Sequence, residues 1–254
     1  VEIPKDNGKK RQLGIPTVVD RLVQQAINQV LMPHYERKFS RTSFGFRPRK
    51  GCHDALRKAQ KIVEKDYTYV VDLDLERFFD TVSHSKLIEI LSSSIKDGRV
   101  ISLIHKYLRS GVMNHGVFEM NEVGTPQGGP LSTLLSNIML NELDKELEHR
   151  GHPFVRYTDE VMIFCKSQKA AMRVKATITR FIESKLHLKV NKEKTVVSYV
   201  RGVKYLSYSF YVQNGKCKLT VLPKSKMKMK ARLKLLTSRS SGWGYAKRKQ
   251  KLKE

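Results

Sequence analysis

The sequence predicts an α+β fold in which an antiparallel sheet packs on helices. Three observations carry that expectation. The stretch from Phe154 to Phe164 places two apolar runs around Thr158, Asp159 and Glu160, the pattern of two short strands and a tight turn. Tyr67 to Leu75 reads as another strand, in which period two sets Val70, Asp72 and Asp74 on one face and Tyr69, Val71, Leu73 and Leu75 on the other. Between and beyond these strands lie segments with apolar residues at helical spacing, such as Leu131 to His149. The 254 residues suffice for one large domain or two small ones.

Charge bounds the partners. Lys and Arg number 49 against 24 Asp and Glu, an excess of 25. So basic a chain points to a polyanion as partner, with nucleic acid ahead of a membrane surface. No run approaches the ~18 apolar residues of a membrane span, and no signal peptide opens the chain. Cys52, Cys165 and Cys217 are widely spaced and form no CxxC, which points to a reducing compartment and to buried thiols rather than a disulfide frame or zinc site.

Each element follows in order. Val1-Glu2-Ile3 and Gln12 to Ile15 form a hairpin about Asp6-Asn7-Gly8, and it carries Lys5, Lys9, Lys10 and Arg11. That hairpin is either a solvated basic surface or a flap of cations for a phosphate chain. Thr17 caps a helix running to about Phe39, with Val18, Leu22, Val23, Ala26, Ile27, Val30 and Leu31 on its apolar face. Ser43 to Gly51 mixes aromatic and basic residues, Arg47, Arg49 and Lys50 among them, as suits stacking and phosphate contact; a plain turn fits the same letters. A helix from Asp54 to Glu64 leads to the aspartate strand. Ser83 caps the next helix, Asp97-Gly98 ends it, and Val100 to Leu108 forms another. A small hairpin turns at His115-Gly116. Gly124-Thr125-Pro126-Gln127-Gly128-Gly129-Pro130 then feeds the helix from Leu131, either as a tight turn or as a loop whose backbone approaches a ligand closely, with the polar Gln127 among the glycines favouring the latter. Gln168 to Leu186 is helical. Strands are expected at 189–191 and 194–197, and a hairpin at 203–206 and 209–212. Lys224, Lys226 and Lys228 begin a basic, amphipathic helix that reaches Leu236; residues 240–254 show no core-forming pattern.

The chemistry centres on the carboxylates. Asp is depleted in strands, and carboxylates between buried strands are costly unless paired or metal-bound. A surface turn explains Asp159 and Glu160 alone. Strands that bring Asp74 to them would gather three carboxylates, an oxygen set suited to two hard Mg²⁺ ions, with Mn²⁺ as a substitute.

These residues stand within a longer resemblance. IPK with a following Arg, LGIPTVVDR, SFGFRP, VVDLDLERFFDTVSH, GTPQGGPLS, FVRYTDEVMIF, LKVNKEKT and VKYLSYSF occur in the order found in the reverse transcriptases and maturases encoded by bacterial group II introns. The resemblance extends from Val1 to about Leu236. It implies a right-hand polymerase fold, with partial fingers over 1–65, a palm over 66–212 and the start of a helical thumb over 222–254. It implies RNA-directed DNA synthesis from dNTPs on an RNA template and DNA primer, binding of group II intron RNA, and residence in the bacterial cytoplasm. Asp74, Asp159 and Glu160 would be the catalytic metal ligands. Lys5, Arg11, Phe79, Gln127 and Lys194 would bind the dNTP, with Phe79 barring a ribose 2′-hydroxyl. Tyr205, Leu206 and Tyr208 would form the primer grip. The chain departs from the family in three ways: Tyr157-Thr158-Asp159-Glu160 replaces Tyr-Ala-Asp-Asp, Ser207 replaces the primer-grip glycine, and the chain holds neither the fingers extension nor the regions beyond the first thumb helix. Those departures sustain an alternative, a maturase-like RNA-binding protein of weakened catalysis.

Overall fold

A computed structural model describes residues 2–4, 10–114, 116–126, 128–213, 215–238 and 242–253. Lys5 and Gln127 lie outside the described residues, and of Arg11 only the backbone is described. In chain order the elements are β1 (Glu2–Pro4), β2 (Lys10–Gln12), α1 (Val18–Glu36), α2 (Cys52–Val63), β3 (Tyr69–Leu73), α3 (Phe78–Thr81), α4 (His84–Ser94), α5 (Gly98–Arg109), β4 (Val112–Asn114), β5 (Val117–Glu119), α6 (Pro130–His149), β6 (Phe154–Tyr157), β7 (Glu160–Cys165), α7 (Gln168–Lys185), β8 (Val196–Tyr199), β9 (Lys204–Tyr205), β10 (Tyr208–Gln213), β11 (Lys216–Val221), α8 (Pro223–Leu236) and α9 (Tyr245–Lys253).

The central sheet has the order β6-β7-β3-β8, with every neighbour antiparallel. Alternation along β3 divides the interior in two. Val71, Leu73 and Leu75 face one core with Leu87 of α4, Ile104 of α5, Leu135 of α6 and Ile178 of α7. Val70 faces the other, with Leu56 of α2, Val155, Met162 and residues of a second sheet, β11-β10-β9. Both faces are therefore covered, which is why β7 is buried from Val161 to Cys165 without alternation. Each such fully buried apolar side chain contributes about 1.5–3 kcal/mol.

The expected caps form. Side chains of Thr17 and Ser83 accept from the backbone amides of Asp20 and Lys86, and Ser167, which was not expected as a cap, accepts from that of Ala170. The N-terminal hairpin pairs Ile3 with Arg11, so its second strand starts before the expected Gln12.

Helix α1 corrects the expectation of its inward face. Val18, Leu22 and Val30 are exposed, whereas Gln24, Leu31 and Tyr35 are buried. The helix lies across the start of α6, where Asn28 Nδ2 donates to the Pro130 carbonyl at 2.9 Å. Its inward stripe, 24-28-31-35, is thus polar at one end and apolar at the other. α8 forms where expected, yet of its apolar residues only Leu236 is buried; Met227, Met229 and Leu235 are exposed. α9 is a helix without buried residues, in keeping with the absence of a core pattern in its sequence.

Candidate active site

Register builds the site. Leu73 pairs with Val161, so Asp74 leaves the end of β3 beside Glu160, the first residue of β7. Tyr157 pairs with Glu160, leaving Thr158 and Asp159 as the two-residue turn between β6 and β7. Asp74, Asp159 and Glu160 line one open cleft of about 1700 Å³, together with Phe79, Tyr157, Lys194 and Leu206.

The loop between α7 and β8 clamps the segment beyond β3. The Asn191 amide donates to the Asp74 carbonyl at 2.9 Å, and the Asp74 amide donates to Thr195 Oγ1 at 3.2 Å. Lys194, one residue before Thr195, sets its ammonium 3.1 Å from Asp74 Oδ2. Both groups reach solvent, so the ion pair contributes little to stability; its consequence is local charge.

The turn is held from below. Thr158 has φ +58°, a left-handed conformation unusual for a β-branched residue. Its hydroxyl lies 2.6 Å from the Tyr157 carbonyl and 2.8 Å from Asp159 Oδ1, sharing one proton between them and steering the Asp159 carboxylate. Arg156 donates from Nη1 to the Thr158 carbonyl at 3.0 Å and to Asn137 Oδ1 at 2.9 Å. Asn137 Nδ2 in turn donates to the Gly45 carbonyl at 2.9 Å. Gly45 packs so closely on Thr158 that a Cβ there would overlap the Thr158 amide. Asp144 completes the support by accepting from Arg156 Nε and Nη2 at 2.8 and 2.7 Å. Arg156, Asp144 and Asn137 brace the turn, and sequence reasoning missed them. Their signal was present: a cation inside the apolar strand Phe154-Val155-Arg156-Tyr157, and a polar stripe Asn137, Asn141 and Asp144 along an otherwise apolar helix.

Like charges crowd this end of the sheet. Burial, followed by the charges of Asp159, Asp72 and Asp74, pushes the Glu160 carboxyl up to about 7, although its side chain is open to the cleft. Burial, and then Asp74, pushes Asp72 up to about 6. Crowded like charges of this kind are relieved by a cation. The donor set is all oxygen, as hard divalent cations prefer, and so fits the expected metal in chemistry. Among the described residues no three of these groups stand close enough to enclose an ion as they are.

Phe79 lies half-buried at the cleft wall, 5.3 Å from the Phe78 ring and edge-on to it. The glycine-rich loop is pinned beside it: the Thr125 amide donates to the Phe79 carbonyl at 2.6 Å, and buried His84 contacts the Gly124 carbonyl at 2.6 Å.

Other expected contacts divide. Arg47 is corrected: it is buried, bonded to Glu36 Oε1 at 2.6 Å and to the Ser43 carbonyl at 2.9 Å, so it braces its own loop and faces no phosphate. Lys50 turns inward as well, 3.2 Å from the Ser43 carbonyl and 5.2 Å from the Phe44 ring centre. Arg49 remains exposed, as do Lys224, Lys226 and Lys228 on α8. Tyr205 is buried and cannot meet a primer directly. Leu206 lines the cleft, and Tyr208 Oη lies 3.4 Å from His53 Nε2. Leu206 and Ser207 both have positive φ, +48° and +69°, in the turn between β9 and β10. That conformation favours glycine at the second position, where this chain has serine.

Carboxylates at one end of an antiparallel sheet backed by helices, with a hairpin facing them, define the palm of a right-hand polymerase. The fold agrees with solved telomerase structures: that of apo telomerase from Candida tropicalis truncated from its C-terminal domain aligns with a TM-score of 0.59 at 16% identity, covering 79% of this chain and 45% of that one. Residues 3–210 match the family described as reverse transcriptase (RNA-dependent DNA polymerase), and the chain belongs to that family. It is 32% identical over 238 residues to Protein YkfC of Escherichia coli K12, covering 79% of this chain and 62% of that protein. It is 29% identical over 280 residues to the group II intron-encoded protein LtrA of Lactococcus lactis subsp. cremoris, covering 83% of this chain and 46% of that protein. The chain thus spans about half of LtrA and somewhat more of YkfC. Among the described residues no helix is long and apolar enough to cross a membrane.

Proposed function

We propose that this protein is an RNA-directed DNA polymerase of the group II intron type, extending a DNA primer with dNTPs on an RNA template and binding intron RNA in the bacterial cytoplasm. The observation that carries the reading is the pairing of Leu73 with Val161, which brings Asp74 to the Asp159-Glu160 turn inside an open cleft. Asp74, Asp159 and Glu160 would hold two Mg²⁺ ions, which supply charge stabilisation of the attacking and leaving oxygens in phosphoryl transfer.

The chain's own residues do the rest. Thr158 and Arg156 fix the turn, so that the carboxylates keep their placement during reaction. Phe79 fills the cleft wall where a sugar would lie and excludes a 2′-hydroxyl by bulk. Lys194 offers its ammonium to a triphosphate once Asp74 is engaged elsewhere, and Lys5, Arg11 and Gln127 complete the nucleotide contacts. Leu206 and the β9–β10 turn face the primer end. Arg49 and the exposed lysines of α8 neutralise template and primer phosphates.

Two observations favour a second reading, an RNA clamp assisting splicing with little polymerisation. Glu160 sets a longer carboxylate where the family has Asp, and the chain is also 24% identical to a protein named nuclear intron maturase 3, mitochondrial, of Arabidopsis thaliana. Incorporation of dNTPs on a primed RNA, measured with Mg²⁺ and with Mn²⁺, separates the two. Metal-dependent extension supports the polymerase; RNA binding without extension in either metal supports the clamp.

A further inference from the structure

Tyr205 carries a hydroxyl that its hairpin leaves without a task. The residue is 2% exposed, and its hydroxyl has no hydrogen-bond partner among the described residues. Alternation along the strands shows what it faces. Val70, Val155, Met162 and Tyr205 share one core. Asp72 lies two residues beyond Val70 on β3, and Glu160 two residues before Met162 on β7, so both carboxylates rise from the sheet face that Tyr205 covers. Tyr157, two residues beyond Val155 on β6, shares that face, whereas Arg156 points from the opposite face of β6 to Asp144 of α6.

Arg156 is a donor already engaged with Asp144, Asn137 and Thr158, and it offers the hydroxyl no acceptor. That leaves the carboxylates. A phenol donating to a carboxylate makes a charge-assisted hydrogen bond, stronger than a neutral one. Asp72 is short and fixed in mid-strand between Met162 and Val196. Glu160 has one more rotatable bond and stands at the strand's open end, so it gains most from an anchor.

We propose that Tyr205 is a positioning residue: when the Glu160 side chain, open to the cleft in this structure, turns onto the sheet face, the Tyr205 hydroxyl donates a hydrogen bond to its carboxylate and holds it where it can take a divalent cation. The proposal rests on the reading of Glu160 as a metal ligand. It makes Tyr205 and Glu160 a matched pair: the residue with the extra methylene is steadied by a donor that phenylalanine at 205 would not provide.

The test is a double-mutant cycle on the full chain, reading Mn²⁺ affinity by titration calorimetry and thermal stability with metal chelated. Tyr205→Phe keeps the ring, so apo stability should hold or rise as the unpaired hydroxyl is lost. Mn²⁺ should bind about tenfold more weakly, as expected for one hydrogen bond to a charged group. In the Glu160→Asp background the same substitution should change affinity less than about twofold, because the shorter carboxylate is out of reach. Equal Mn²⁺ affinity of wild type and Tyr205→Phe overturns the proposal, as does an equal loss in both backgrounds. A fall in apo stability without a change in affinity makes Tyr205 a core residue only. If the wild type binds Mn²⁺ no better than Asp74→Ala or Asp159→Ala, the metal reading itself fails and takes this role with it.

Discussion

Arg156 and Asp144 form an ion pair, at 2.7 Å, in which neither side chain reaches solvent. Burial pushes the Asp144 carboxyl upward, and the Arg156 guanidinium opposes that by favouring its charge. The pair joins α6 to β6, the strand that leads into the Thr158-Asp159 turn. Breaking it strands a buried charge, so Asp144→Ala should destabilise the protein by about 3–5 kcal/mol. Chemical denaturation of wild type and variant measures this. A loss within about 1 kcal/mol would mean that water or a neighbour replaces the carboxylate.

Gly45→Ala should disturb the active site through backbone contact. The added Cβ would meet the Thr158 amide, which cannot swing aside as a side chain can. Overpacking of this kind costs about 1–3 kcal/mol. Primer extension should fall more than RNA binding, since the displaced turn carries Asp159. Unchanged extension would show that the turn tolerates the shift.

Phe79→Val should admit ribonucleotides. The ring occupies the cleft wall beside the pinned glycine-rich loop, and truncation opens that wall. Competition between dNTP and rNTP in single-nucleotide extension is the readout, with discrimination expected to fall at least about tenfold, the scale of one modest steric contact. Unchanged discrimination would make Phe79 a packing residue, like Phe78 beside it.

Glu160→Asp should raise the Mg²⁺-dependent rate. Mg²⁺ demands near-ideal placement of its ligands, and the extra methylene loosens placement. The wild type should extend weakly in Mg²⁺ and recover in part with Mn²⁺. Steady-state rates for both proteins in both metals decide it; equal rates would mean that Asp159 and Asp74 suffice.

Much of this was legible in the sequence because the signals were local. The strand around Val70 and the hairpin around Thr158 and Asp159 follow from apolar runs and turn residues, and their faces follow from period two. The long-range parts were harder. Periodicity shows that α1 has an apolar face but not what covers it, and the covered stripe contains Gln24 and Asn28 because it meets the start of α6. Arg47 in a basic, aromatic loop reads as a phosphate contact, while its partner Glu36 lies eleven residues upstream on a helix whose turning the letters do not reveal. β11 went unforeseen because Lys216, Lys218 and the modest apolar residues between them resemble a solvated loop; pairing with β10 makes it a strand. Tyr205 reads as a primer contact from its motif, yet its side chain points into the core.

The central claim is that Asp74 and Asp159 together hold the metal that drives DNA synthesis, while the cationic surface supplies affinity for nucleic acid. Primer extension by purified Asp74→Ala and Asp159→Ala, with RNA binding measured in parallel, tests it most directly. Each variant should lose about 10³-fold or more in rate, the scale expected when several kcal/mol of barrier stabilisation is removed, and should bind RNA as the wild type does. Near-wild-type extension by either variant would contradict the account.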